Sequence, residues 1–263
     1  MFIIEETIMH IDSANLNNLK TLWQRYGARL LYEDDNGQLR KSISWPNRAW
    51  ANIAWPVSVE SLEQTGKVLP NGTLFPLWPM MSEDGSASPR ETVDALVDNS
   101  CDWQRAFQHT AMVLPLDKQQ HINTQEVRFP ISIKRLSDEA DIAAWVATGS
   151  KAFGYSIDSK VIVPLLDCED IQILLAYNKK LQPVATGLLF KTGDVVGIHQ
   201  IGVPGDHRGK GYATQMMRLL IERADKWQAN YVVLQASEAG RLVYHKLGFV
   251  DQFLITYLKK YKS

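Results

Sequence analysis

The sequence predicts an α+β protein in two parts, with a mixed, mainly antiparallel sheet and flanking helices in the second part. Three observations predict it. Of the eight tryptophans, Trp23, Trp45, Trp50, Trp55, Trp78 and Trp103 precede residue 128, and only Trp145 and Trp227 follow it. Between the halves, DKQQHINTQEVR (Asp117 to Arg128) is polar, follows Pro115 and lacks a sustained apolar period, as a surface connection does. Beyond it lie three runs rich in Val, Ile and Leu, separated by the turn signals NKK and TGD. These place a smaller α+β domain over residues 1–127 and a second domain over 128–263.

In the first half, a helix is expected over Ser13 to Tyr32, with Ser13 as N-cap and Leu16, Leu19, Trp23, Tyr26 and Leu30 at three- and four-residue spacing. KSISW (Lys41 to Trp45) and TLFPLW (Thr73 to Trp78) read as short strands between Pro- and Gly-marked turns, and Glu91 to Phe107 reads as a helix.

In the second half, FPISIKRL (Phe129 to Leu136) alternates like a strand. Ser137 to Gly154 reads as a helix, with Ser137 as N-cap, acidic residues in the first turn and a glycine exit. A short helix follows over Ser159 to Leu166. The antiparallel meander comprises IQILLAY (Ile171 to Tyr177), PVATGLLFK (Pro183 to Lys191) and VVGIHQIGV (Val195 to Val203). A helix from Ala213 to about Gln228 carries Met216, Leu220, Ala224 and Trp227 on one face, before the strand YVVLQA (Tyr231 to Ala236). Ala239 to Leu247 reads as a short helix ending at Gly248, and FVDQFLITYLKK as closing strands. The order is β-α-α-β-β-β-α-β-α-β.

Composition narrows the function. The 263 residues are 45% hydrophobic and 22% charged, which is ordinary globular composition and excludes a disordered chain. Lys and Arg number 28 against 29 for Asp and Glu, so no bulk field gathers polyanions, and a nucleic-acid partner is not expected. The longest uncharged stretch, Val68 to Ser82, is broken by Pro70, Pro76 and Pro79, so no membrane span is expected. Glu5 and Glu6 stand where a signal peptide would carry positive charge, and two cysteines, Cys101 and Cys168, are too few for a disulfide framework. The expectation is a cytoplasmic protein, monomer or homodimer. Metal is not expected, since the sequence has no H-E-x-x-H and no close Cys/His set.

The chemistry concentrates in VPGDHRGKGYAT, Val203 to Thr214, between a strand and a helix. Gly205, Gly209 and Gly211 permit left-handed backbone and close approach, while Arg208 and Lys210 add positive charge at a helix N-terminus, where unpaired N–H groups already favour anions. The segment can therefore cradle a phosphate, or be a plain Gly-rich turn. Walker A spacing fails, because Pro204 occupies the first glycine position and Gly211 follows Lys210. A dinucleotide fingerprint from Gly209 fails at Thr214, and a meander rather than a βαβ unit precedes it. What remains is R-x-x-G-x-A, from Arg208 through Gly211 to Ala213.

Here the sequence resembles the GNAT superfamily of acyl-CoA-dependent N-acetyltransferases, whose pyrophosphate loop reads Q/R-x-x-G-x-G/A. LVYHKLGF (Leu242 to Phe249) resembles a second family segment, LYxKLGF, in the expected order. The resemblance covers about residues 128–263. It departs before Tyr244, where the common Asn and Ala positions are Ser237 and Gly240. It implies acetyl-CoA as co-substrate, with the backbone amides of Gly209, Lys210, Gly211, Tyr212 and Ala213 on the pyrophosphate and Arg208 adjacent. It also implies main-chain pairing of Ile201 and Val203 with the pantetheine arm, Gly202 allowing the bulge that splays this strand. Ser237 belongs to a turn that contacts cofactor in the family, and it can also N-cap the following helix.

Tyr244 corresponds to the family's frequent general acid, which protonates the departing CoA thiolate; otherwise it is a half-buried helix aromatic. His199, on the strand before the loop, can accept the amine proton or be a core histidine. His207 and His245 are expected to be solvated. Direct attack in a ternary complex is expected over an acyl-cysteine route, because neither Cys101 nor Cys168 has a sequence-adjacent base. The implied activity is acetyl transfer to a primary amine of a small molecule or peptide; the alternative is an acyl-CoA-binding sensor without turnover. The first half has no Gly-basic loop, since EDGSASPRE (Glu83 to Glu91) lacks the spacing, so it is either a degenerate GNAT-like half or a different α+β cap. Trp45, Trp50, Trp55 and Trp78 either fill its core or line an acceptor site in a cleft between the halves.

Overall fold

The computed structural model describes residues 2–34, 37–51, 58–88, 93–116 and 129–261. Its chain forms two compact units, each assembled from separate segments. The first comprises Met1–Met112, Gln235–Leu242 and Val250–Ser263, and the second Val113–Leu234 and Val243–Phe249. The units therefore do not follow a single cut at residue 128. The last strand returns to the first unit, through long-range pairing that local periodicity does not encode. The polar stretch 117–128 lies outside the described residues.

The first unit opens with α1 (Phe2–Arg25), which buries Ile11, Leu16, Leu19, Leu22 and Trp23 along one stripe. The helix expected over 13–32 is thus displaced toward the N-terminus. Ser13 lies inside it and donates to the Gly85 carbonyl at 3.0 Å, and Gly27, at φ +80, turns the chain into a strand. The antiparallel meander β1 (Ala28–Asp34), β2 (Gly37–Ser42) and β3 (Ala49–Ala51) follows, so Leu30 and Tyr32 belong to a strand and the strand expected at 41–45 ends at Ser42. α2 (Val59–Val68) starts at a reciprocal capping box between Ser58 and Ser61. Then come β4 (Leu74–Leu77), the small β5 (Met80–Met81) and β6 (Ala87–Ser88) pair, α3 (Val93–Asp98) and β7 (Trp103–Pro115). The helix expected over 91–107 is only α3, and Trp103 onward is extended.

The second unit begins with β8 (Ser132–Arg135) and α4 (Glu139–Phe153). The N-cap of α4 is Asp138 rather than Ser137: the Asp138 carboxylate accepts from the Asp141 amide at 2.8 Å, while Ser137 donates to the Asp141 side chain. Gly154, at φ +76, ends it as expected. After α5 (Ser159–Ile162) and a 3-10 turn come β9 (Ile171–Tyr177), β10 (Pro183–Thr192) and β11 (Val195–Gly202), the antiparallel meander expected from the sequence. β8 pairs antiparallel with β9 at one edge. After α6 (Tyr212–Lys226), β12 (Tyr231–Ala236) pairs parallel with β11, giving the order β8-β9-β10-β11-β12 within this unit. α7 (Glu238–His245) precedes β13 (Val250–Lys260).

β13 is one strand, not two. It pairs antiparallel with β4, Thr256 opposite Leu77 and Leu258 opposite Phe75. Leu258 joins Leu39, Leu62, Leu69, Phe75, Leu77 and Trp103 in the core of the first unit. Trp45, Trp50 and Trp78 are likewise core. Trp23 lies 5.2 Å from Trp50 and 5.6 Å from Trp78 between ring centroids, and Trp78 Nε1 donates to the Ala51 carbonyl at 2.8 Å. These three rings are thus packing residues rather than the walls of an acceptor site, and Trp55 lies outside the described residues.

Candidate functional site

The bulge that prepares the site sits in β11. Opposite β10, Leu188 pairs with His199 and Thr186 with Gly202, so β11 carries an extra residue between the two pairs. That residue region is Gln200, at φ +54, with its carbonyl held by the Thr186 hydroxyl at 2.8 Å. Gly202 was expected to permit the bulge, but its part is steric. A Cβ there would stand 2.9 Å from Ala152 Cβ, Phe153 Cζ and Thr186 Oγ1, so glycine is what lets α4 lie against the strand. Gly187 on β10 similarly admits Met216 and Leu220 of α6. The bulge breaks the regular ladder next to Ile201 and Gly202.

Immediately after Val203, residues Gly205–His207 form a 3-10 turn, and the chain reaches α6 through Gly209 at φ +74 and Gly211 at φ +78. Both left-handed positions need glycine, since another L-residue there costs about 1–2 kcal/mol. Gly211 is the N-cap of α6 and no side chain caps the helix. The first amides of α6, from Tyr212 and Ala213, are therefore left without a side-chain cap, at the positive end of the helix dipole.

The basic residues act as braces. Arg208 donates through Nε to the Val203 carbonyl at 3.1 Å and through a terminal nitrogen to the Ala152 carbonyl at 3.0 Å, tying the loop to the end of α4. Lys210 donates to the Asp206 carbonyl at 2.9 Å, and Lys151 reaches the Asp206 carboxylate at 2.9 Å. That hydrogen bond from Lys151 holds the Asp206 carboxyl below its usual pKa. The pairing of Lys151 and Asp206 is not visible in sequence, because 55 positions separate them. His207 is not solvated as expected: its ring stands edge-on to Tyr212 at 6.2 Å, and its Nδ1 is buried without a partner among the described residues.

Tyr244 lies near the end of α7, its ring 6.0 Å from Phe249. The chain turns back behind it, with the amides of Leu247 and Phe249 donating to the Tyr244 carbonyl. Burial pushes its phenol up to about 12, so the hydroxyl keeps its proton through neutral pH. Ser237 caps the start of α7, with its Oγ 3.3 Å from the Gly240 amide. His245 is exposed and its Nδ1 lies 3.1 Å from the Phe249 carbonyl. Cys101 is exposed, Cys168 is partly buried, and both are free.

His199 is 7% exposed on β11, and burial drives its pKa down from 6.5 to about 3. A neutral imidazole with so little proton affinity is a poor acceptor for an ammonium proton. The titrating base expected from its place on the strand is thus not what this environment supports. The burial has a consequence for stability. Below about pH 6.5 the unfolded chain protonates this imidazole and the folded chain does not, so its contribution is full above that pH and declines toward pH 3. At pH 5 the loss amounts to about 2 kcal/mol. Urea unfolding at pH 7 and pH 5 should show a smaller difference in His199→Gln than in the wild type; an equal difference would mean that His199 gains its proton in the folded state.

Among the described residues, no group of three or more His, Cys, Asp or Glu side chains is placed to hold a metal ion, and no helix is long and apolar enough to cross a membrane.

A glycine-turned loop leading into an uncapped helix, beside a bulged strand, is the kind of site where backbone amides can meet an anion. Residues 140–249 match the family described as the acetyltransferase (GNAT) family. The chain thus carries a GNAT acetyltransferase domain in its C-terminal part, which supports acyl transfer as its general chemistry. Among solved structures, it is similar over 97% of its length to a GCN5-related N-acetyltransferase from Kribbella flavida, covering 96% of that chain at 14% identity and TM-score 0.62. It is similar to one from Sphaerobacter thermophilus over 97% of this chain and 91% of that one, at 12% identity and TM-score 0.62. These likenesses extend the GNAT fold across most of the chain. No curated protein matches it.

Proposed function

We propose that the protein moves an acetyl group from acetyl-CoA to a primary amine of a small molecule or peptide, by direct attack in a ternary complex. The observation that carries this reading is the loop from Gly209 to Ala213, where two left-handed glycines and an uncapped helix present consecutive backbone amides. In this reading those amides hold the CoA pyrophosphate, while Arg208 and Lys210 hold the loop rather than the phosphate. Main-chain groups of Ile201 and Val203, beyond the bulge, pair with the pantetheine arm.

The neutral amine attacks the thioester carbonyl, the C–N bond forms, and the C–S bond breaks as the electron pair moves to sulfur. The Tyr244 hydroxyl delivers its proton to that sulfur and is reprotonated from solvent, and the proton released by the amine leaves to water. Burial keeps the phenol protonated at neutral pH but also makes it a weaker acid, so it hydrogen-bonds the departing sulfur and gives up its proton only as negative charge builds there. His199 serves as a neutral side chain of β11. Direct attack agrees with the absence of an adjoining histidine in the sequence around either cysteine.

The test is release of CoA thiol from acetyl-CoA in the presence of polyamines, amino sugars, amino acids and peptides with free amines. At least one primary amine should raise thiol release well above the acceptor-free rate and gain one acetyl group by mass. Acetyl-CoA binding without acceleration by any amine would mark a sensor instead of an enzyme.

A further inference from the structure

Arg48 of the first unit stands in an unusual setting. Its guanidinium carbon lies 4.4 Å from the ring centroid of Trp23 and 5.3 Å from that of Tyr257, and both rings are almost fully buried. The backbone is fixed: the Arg48 carbonyl accepts from the Ser42 amide at 2.9 Å, and a parallel bridge joins Arg48 to Leu74. Tyr257 continues into an aromatic cluster, stacked on Phe107 at 4.7 Å and edge-on to His109 at 5.2 Å, with Phe107 and His109 5.0 Å apart. Phe107 remains 36% exposed, so solvent reaches this cluster.

What the setting lacks is an anion. Among the described residues Arg48 has no carboxylate partner, and its Nε is buried with no hydrogen-bond acceptor. Cation–π contact offsets part of the desolvation of a guanidinium but supplies no acceptor for its N–H groups. Trp23 and Tyr257 pack on the guanidinium and its Nε is enclosed, so a partner reaches it along the edge formed by its two terminal nitrogens. A planar carboxylate matches that edge with two parallel hydrogen bonds, which a spherical ion cannot do. Beside it, burial together with the charge of Arg48 lowers the His109 pKa from 6.5 to about 4, so His109 is neutral and adds an uncharged wall.

We propose that Arg48, with Trp23, Tyr257, Phe107 and His109, forms a binding site for a carboxylate that carries an apolar or aromatic group. The guanidinium edge takes the carboxylate and the aromatic cluster takes the apolar part. This site belongs to the first unit and is argued independently of the acyl-transfer reading.

The full-length protein is titrated calorimetrically with benzoate, phenylacetate and a short peptide ending in Phe with a free carboxylate, each beside its neutral amide. At least one carboxylate should bind, with its amide at least about tenfold weaker. Binding by the small acids alone points to a metabolite, and binding favoured by the peptide points to a chain terminus; either supports a carboxylate site. Arg48→Lys keeps the charge but loses the planar fork, and should weaken binding at least about tenfold. A second readout stays within the wild type: saturating carboxylate neutralises the Arg48 charge, so the His109 pKa followed by NMR should rise. Equal affinity for acids and amides, binding unaffected by Arg48→Lys, or no binding by any of the carboxylates would overturn the proposal.

Discussion

Replacing Tyr244 by Phe should lower kcat on the order of 10- to 100-fold while leaving acetyl-CoA affinity nearly unchanged. The two effects separate because the phenol ring and the hydroxyl do different things. The ring packs near Phe249, at 6.0 Å between centroids, and Phe keeps that packing. The hydroxyl is needed only when sulfur departs, since a thiolate of pKa near 8.5 leaves more readily when a proton accompanies it. With the phenol pushed up to about 12, no limb of the pH–rate profile below about pH 10 should belong to Tyr244. Single-turnover measurement with saturating acetyl-CoA isolates the chemical step. Full activity in Tyr244→Phe would remove the residue from the reaction and leave it as helix packing.

Parts of this fold could be read locally and parts could not. The β9-β10-β11 meander was legible because each strand is a Val, Ile and Leu run closed by its own turn residues. α6 was legible because Met216, Leu220 and Ala224 recur at helical spacing behind a glycine turn. By contrast, Tyr26 and Leu30 continue the helical spacing of α1 past Gly27, and only the left-handed backbone there ends it. β7 read as helix as far as Phe107 because its partner, β13, lies far along the chain, and pairing at such separation leaves no local period. The same long-range pairing carries β13 into the first unit, so a chain starting near Glu126 would lose β4 and leave Leu258 without its core.

The site divides the same way. The R-x-x-G-x-A loop was legible because two glycines with φ near +75 are a requirement of the backbone, and sequence records it. The bulge was not. It places a left-handed residue at Gln200, which carries no such signature, and its support from Thr186 spans 14 positions. His199 was placed correctly on its strand, but its proton affinity depends on how completely the unit encloses it. The Arg48 cluster draws rings from positions 23, 107, 109 and 257, and no spacing rule joins them.

The central claim is that backbone amides of the loop hold the CoA pyrophosphate, and calorimetry with acetyl-CoA tests it most directly. In Gly211→Val, a side chain enters at the N-cap of α6, and the left-handed backbone at φ +78 becomes strained. Only Gln215 Nε2, at 3.9 Å, comes within 4 Å of the added Cβ, so the substitution meets no packed core and the fold should survive. Gly193→Val is the matched control: it sits in the β10–β11 turn at φ +56 with open space around its Cβ, and it bears similar strain away from the loop. The wild type and Gly193→Val should bind acetyl-CoA alike, and Gly211→Val should bind on the order of 100-fold more weakly, equivalent to losing about two amide hydrogen bonds to a charged group. Equal affinity in all three folded proteins would contradict the account and place the nucleotide away from this loop.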